Sequence, residues 1–219
     1  MVNTVLPSIA PDRALAILYS PRSARPALEA LLALDAKLAD ILRTTRETMV
    51  GRMRLTWWFE ALERLDREPP PAEPVLRSLA EAVLPNGVTG GFLAGMIDGW
   101  EAILGEEPLT DADVELFARE RGGRLFEAMA TVSGFAADQV GPAGEGWALA
   151  DLAGNLSDTR LAGEVRARAA ERLREATGRR WPRAGRGMGA LALLALLDLE
   201  GRSGAGRVGR LLFHRVTGR

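Results

Sequence analysis

Residues 51–62 read Gly51-Arg52-Met53-Arg54-Leu55-Thr56-Trp57-Trp58-Phe59-Glu60-Ala61-Leu62. Together with Val50 and Leu65, the apolar residues Met53, Trp57, Trp58 and Ala61 recur at three- and four-residue spacing, the repeat of a helix and not of a strand. This helix is expected from Met49 to about Arg67, ended by Pro69-Pro70-Pro71, which cannot continue it. Upstream, Asp12 to Tyr19 forms a short helix. Pro26 to Thr44 forms a long one, with Leu28, Leu31, Leu32, Leu38 and Leu42 on one face. Downstream, the same spacing marks segments near 73–84, 89–104, 110–135, 144–158, 162–177, 187–200 and 204–216. Thr110 is placed to cap the helix that begins there, with Asp111 and Asp113 in its first turn. No alternating run of strand length interrupts the pattern, so the expected fold is an all-α bundle of about eight to ten helices in one domain over residues 1–219.

Composition narrows the chemistry. The 219 residues are 47% hydrophobic and 26% charged, enough for a sizeable core. There is no Cys, which removes disulfide frameworks, thiolate zinc sites and cysteine nucleophiles. The single His214 leaves no second imidazole for a triad or a His-rich metal site. Met1 to Asp12 lacks the basic segment and cleavage site of a secretory signal. The longest apolar run, Met188 to Leu197, is well short of the ~20 residues of a membrane span. A cytoplasmic location is therefore expected. Net charge is −1, but residues 160–219 carry 14 basic and 5 acidic side chains, and the rest 14 and 24. The basic end is expected to pair with the acidic remainder or to make peripheral contact with the inner face of a membrane. Its arginines are interleaved with Ala and Leu, not aromatics, so no nucleic-acid partner is expected.

Three charges fall on apolar faces at about 100° per residue: Asp35 within the leucine stripe, Arg54 within the Trp57–Trp58 stripe, and Arg121 among Val114, Phe117, Ala118, Leu125 and Val132. Buried charges come with partners. Asp35 and Arg54 are expected to pair across an antiparallel hairpin, the alternative being a snorkelling Arg54 and a half-exposed Asp35. Trp57 and Trp58 read as core or rim packing, with ligand stacking as the second reading. Gly122 and Gly123 inside a helix cost about 1 kcal/mol each by propensity, a cost usually offset by close approach of a helix or a ligand.

The segment 51–62 resembles the Arg-Leu-x-Trp-Trp-x-x-Ala-Leu stretch of the squalene/phytoene synthase family. Asp12-Arg13-Ala14-Leu15-Ala16 followed by Arg25-Pro26-Ala27-Leu28 resembles that family's opening. Gly122-Gly123-Arg124-Leu125-Phe126 and Ala167-Arg168-Ala169-Ala170-Glu171-Arg172-Leu173 resemble two of its later helices. The resemblance implies the isoprenoid-synthase fold, helices around an apolar tunnel. Active members join two allylic diphosphates head to head, using Mg²⁺ held by two Asp-rich segments on facing helices. By position, the first such pair would fall on Ala39 and Arg43. Asp35 and Asp40 remain nearby, but about 140° apart on the helix they cannot chelate together. The second segment would fall within Trp147 to Asp158, where Asp151, Asn155 and Asp158 share a face without reproducing the family's pattern. A ring at Phe126, near a glycine of some active relatives, would partly fill the tunnel.

The likeness is thus nearer to the branch without Asp-rich motifs, which includes complex I assembly factors. The leading expectation is a catalytically degenerate protein that binds a protein partner or an isoprenoid or lipid, with Arg54, Trp57, Trp58, Arg121, Gly122, Gly123, Phe126 and Asn155 as pocket candidates and no cofactor. The first alternative is an active prenyltransferase condensing farnesyl or geranylgeranyl diphosphate with Mg²⁺, using Asp35, Asp40, Asp151 and Asp158. The second is a peripheral membrane module built on residues 160–219.

Overall fold

Pro26, whose missing N–H is one the first turn leaves unpaired anyway, starts α2 (Arg25–Thr44) in the computed structural model, which describes residues 11–105 and 108–219. The reading of Met1 to Asp12 as lacking a secretory signal falls mostly on residues 1–10, which lie outside the described residues. α1 (Pro11–Tyr19) precedes α2, and α3 (Thr48–Arg64) follows it, stopping short of the proline block. α4 (Pro74–Ala82) is capped by Glu73, whose carboxylate accepts from the N–H groups of Val75 at 2.6 Å and Leu76 at 3.1 Å. α5 (Gly90–Ala94) and α6 (Met96–Ala102) form one rod bent at Gly95, where a continuous helix was expected.

α7 (Asp111–Phe117) opens with the expected cap, reinforced by Asp113 reaching back to the Thr110 N–H. The rod then widens into a π-helical turn over Ala118–Gly123 and continues as α8 (Arg124–Val132). α9 (Val140–Asn155) begins four residues before the expected start, because Pro142 is tolerated in a first turn. α10 (Thr159–Gly178), α11 (Arg186–Leu199) and α12 (Ala205–Thr217) complete an all-α bundle, with no strand among the described residues. Taking each bent or widened rod as one, they form ten helices among the described residues.

Gly122 explains the crossing at the bundle centre. A Cβ added there would lie 2.1 Å from the Gly144 carbonyl oxygen, and one on Gly144 would lie 2.1 Å from that of Gly122. The π turn and α9 thus touch backbone to backbone, which only glycine permits. The close approach that offsets the helix cost of Gly122 is that of another helix. Leu28, Leu31, Leu34, Leu38 and Ile41 of α2, with Phe117, Phe126, Leu149 and Leu173, are fully buried in the core around it.

A second, smaller apolar cluster joins Ala190, Leu193, Leu194 and Leu197 of α11 to Leu211 of α12, with Leu15 and Tyr19 of α1 against it. Only Leu211 and His214 of α12 are buried. Burial lowers the His214 pKa, while its Nε2 contact with the Arg186 carbonyl at 3.0 Å raises it and the Arg186 and Arg210 charges lower it. With its folded-state pKa below the unfolded value, His214 binds a proton more readily when α12 is undocked. Stability is therefore full above about pH 6.5 and declines as pH falls below it. Thermal melts across this range should show the loss in the wild type, and His214→Gln should flatten it.

Candidate functional site

Arg121 lies in the π turn, on the apolar face already read from the sequence, and its side chain is buried in the bundle, only 2% exposed. Its Nε donates to Asp35 Oδ1 at 2.8 Å and its Nη2 to Asp35 Oδ2 at 3.2 Å, a forked pair between the π turn and α2. Its Nη1 donates to Asp151 Oδ2 of α9 at 2.6 Å. Arg13 of α1 closes the cluster, donating to Asp35 Oδ2 at 2.7 Å and to the Leu32 carbonyl at 3.0 Å. Rings surround the Arg121 guanidinium: Trp100 at 4.2 Å, Trp147 at 4.9 Å and Phe117 at 5.1 Å from its carbon to the ring centres.

Two guanidiniums and two carboxylates cancel, so the cluster is neutral as built. Burial on its own would raise the Asp35 pKa, but the Arg121 charge, then that of Arg13, overcomes it and holds the carboxyl below its usual range. For Arg121 burial would favour deprotonation, and Asp35 and Asp151 reverse this, raising its pKa. Both Asp35 oxygens and one Asp151 oxygen are thereby engaged by cations, and of the two carboxylates Asp151 is the one open to solvent, at 47% of its side chain.

The structure does not bring Asp35 and Arg54 together. The pair expected across α2 and α3 is replaced by Asp35–Arg121, 86 residues apart in sequence. Arg54 is exposed and donates to the hydroxyls of Thr44 at 3.2 Å and Thr45 at 2.8 Å. The reason is rotational. α3 buries Gly51, Leu55, Trp58, Ala61 and Leu62, and turns Met49, Val50, Met53 and Trp57 toward solvent. The stripe that centred on Arg54 is split: Val50, Met53 and Trp57 lie with Arg54 on the outer face, while Trp58, Ala61 and Leu65 are buried.

The remaining candidates are dispersed. Half-buried Asp40 pairs with exposed Arg43 at 2.7 Å. Asn155 is exposed and donates to the Asp151 carbonyl. Trp58 is 4% exposed and Trp57 46%, with the two rings edge to face. Gly122 lies in the helix crossing, Gly123 has only the Glu145 side chain near it, and Phe126 is fully buried with its ring 5.9 Å from that of Trp147. Asp158 caps α10, accepting from the N–H groups of Arg160 at 2.9 Å and Leu161 at 3.1 Å. Asp158→Ala should therefore cost about 1 kcal/mol in urea unfolding, as loss of a cap does.

Sequence reasoning passed over Arg13, Trp100 and Trp147 as members of this cluster. One signal called for a further donor without naming it: a buried carboxylate offers about four acceptor positions and needs more than one partner, and Arg13 fills that place. Among the described residues, no three acidic or histidine side chains converge as ligands for a metal ion.

An all-α bundle in which Asp35 of α2 and Asp151 of α9 meet on one guanidinium is consistent with an isoprenoid synthase-like fold. The squalene/phytoene synthase family model matches residues 6–156, and the chain belongs to that family. It is also similar to the NADH dehydrogenase (ubiquinone) complex I assembly factor 6 of Mus musculus, with 28% identity over 110 residues. The same factor from Rattus norvegicus is 27% identical over 110 residues. Each match covers 50% of this chain and 33% of the relative, so the chain spans about a third of the length of these curated relatives. No solved structure matches it.

Proposed function

We propose that this chain acts by binding a protein partner, in the manner of an assembly factor for a respiratory NADH dehydrogenase complex, and not by prenyl transfer. The observation that carries the reading is the Arg121 guanidinium between Asp35 and Asp151. A prenyltransferase of this family needs carboxylates on facing helices free to hold Mg²⁺ and, through it, a diphosphate. Here the protein's own cation stands between them, Arg13 adds a second donor to Asp35 Oδ2, and Asp40 is held by Arg43. This donor set does not fit a magnesium cluster. The rings of Trp100, Phe117 and Trp147 around the guanidinium, with Phe126 packed on Trp147, favour a protein partner over a prenyl chain in the interior.

The outer face of α3 supplies a binding surface of the right chemistry. Met49, Val50, Met53 and Trp57 are 69%, 42%, 66% and 46% exposed and adjoin one another at three- and four-residue spacing. Methionines adapt to varied apolar surfaces, and a tryptophan is a frequent energetic anchor of interfaces. The similarity to complex I assembly factor 6 names the class of assembly to test.

Deleting the gene in its host should lower the amount of assembled NADH dehydrogenase complex and leave carotenoids and hopanoids unchanged. Wild-type protein should restore assembly, and Trp57→Glu should fail to, losing about 2 kcal/mol or more of partner affinity, roughly thirtyfold. Normal assembly in the deletion strain, with altered isoprenoids, would overturn the proposal.

A further inference from the structure

α12 is apolar on two opposite sides. One side buries Leu211 and His214 against the bundle. On the other, Val208, Leu212 and Val216 follow one another at four-residue spacing, with Phe213 beside them, and they are 57%, 54%, 75% and 53% exposed. At about 100° per residue these four span an arc of about 140°, with Arg210 beyond one edge and Arg215 beyond the other. Residues 201–219 contain five arginines and neither Asp nor Glu. Arg207 is engaged by Asp12 and Asp198, and Arg215 lies over the Tyr19 ring. Among the described residues no carboxylate pairs with Arg210, Arg215 or Arg219.

We propose that α12 lies flat on an anionic lipid surface, with Val208, Leu212, Phe213 and Val216 in the acyl boundary and the flanking arginines on lipid phosphates. An apolar arc rimmed on both sides by cations matches a bilayer interface, where the apolar layer is bordered by phosphates. A second copy of the chain fits less well: a two-fold contact through this face would set the arginine rims of the two copies against each other. The surface belongs to α12, beyond the stretch matched by the family model, and is separate from the α3 face of the partner reading.

The test is co-sedimentation of the full chain with vesicles of phosphatidylcholine alone or of phosphatidylcholine mixed with phosphatidylglycerol, at low and high salt. Binding is expected to the mixed vesicles only, weakening as salt rises. Leu212→Ser combined with Phe213→Ser should reduce partitioning about tenfold or more, and Arg210→Gln combined with Arg219→Gln should reduce it severalfold. All four residues are exposed, and unchanged helical circular dichroism certifies the fold of both variants. Trp57→Glu should bind vesicles as the wild type does, so failure of the partner reading and failure of this one are distinguishable. Equal binding to both vesicle types, binding indifferent to either double variant, or a dimer abolished by Leu212→Ser with Phe213→Ser would overturn the proposal.

Discussion

Asp35→Ala should destabilise the protein by about 3–5 kcal/mol in chemical denaturation, because it leaves the buried Arg121 guanidinium without its forked partner. Asp151 and the Trp100 ring remain beside Arg121, but Asp151 is half in solvent and meets only one of its nitrogens. Arg121→Met should cost less, since Asp35 keeps Arg13 and the rings keep an apolar neighbour. The double variant Asp35→Leu with Arg121→Met should recover most of the loss, because apolar replacement of a whole buried pair is often neutral. The pH sign follows from the lowered Asp35 pKa. Its contribution is present above the unfolded value of about 3.9 and is lost as pH falls through the lower folded value, so acid should unfold the wild type more steeply than the double variant.

Gly122→Ala should be comparably damaging. The atom a new Cβ would meet is the Gly144 carbonyl oxygen at 2.1 Å, backbone on backbone, with no flexible side chain to yield. Forcing the π turn and α9 apart should cost about 3 kcal/mol, the upper part of the range for overpacking, and would also pull Arg121 from Asp151. Gly154→Ala, in the same helix α9, is the matching control, since its Cβ would meet nothing within 4 Å. It should raise stability by up to about 1 kcal/mol through helix propensity alone. Thermal melts of the two variants should therefore move in opposite directions.

The helical class and most boundaries were legible because they rest on local chemistry: Pro69–Pro71 ending a helix, Thr110 and Asp113 starting one, and apolar residues at three- and four-residue spacing. Asp35 and Arg121 were also visible as charges on apolar faces. Their partnership was not, because nothing local joins residues 86 positions apart, and a hairpin neighbour is the natural first choice for a partner. The choice of Arg54 failed for an informative reason. A helical wheel assumes that the more apolar face is the inner one, and α3 places part of its apolar stripe outside, at Met49, Val50, Met53 and Trp57. α12 does the same with Val208, Leu212 and Val216. The sites where that assumption breaks are the two surfaces that the functional proposals use. The π turn was hidden as well: Gly122-Gly123 signalled an irregularity, but the close packing of Gly122 on Gly144 that goes with it joins residues 22 positions apart.

The most direct measurement is pyrophosphate release by the purified chain supplied with Mg²⁺ and farnesyl or geranylgeranyl diphosphate. With Arg121 seated between Asp35 and Asp151, release should stay at the level without protein. Magnesium-dependent release that rises with protein concentration and disappears in Asp35→Asn would contradict the account.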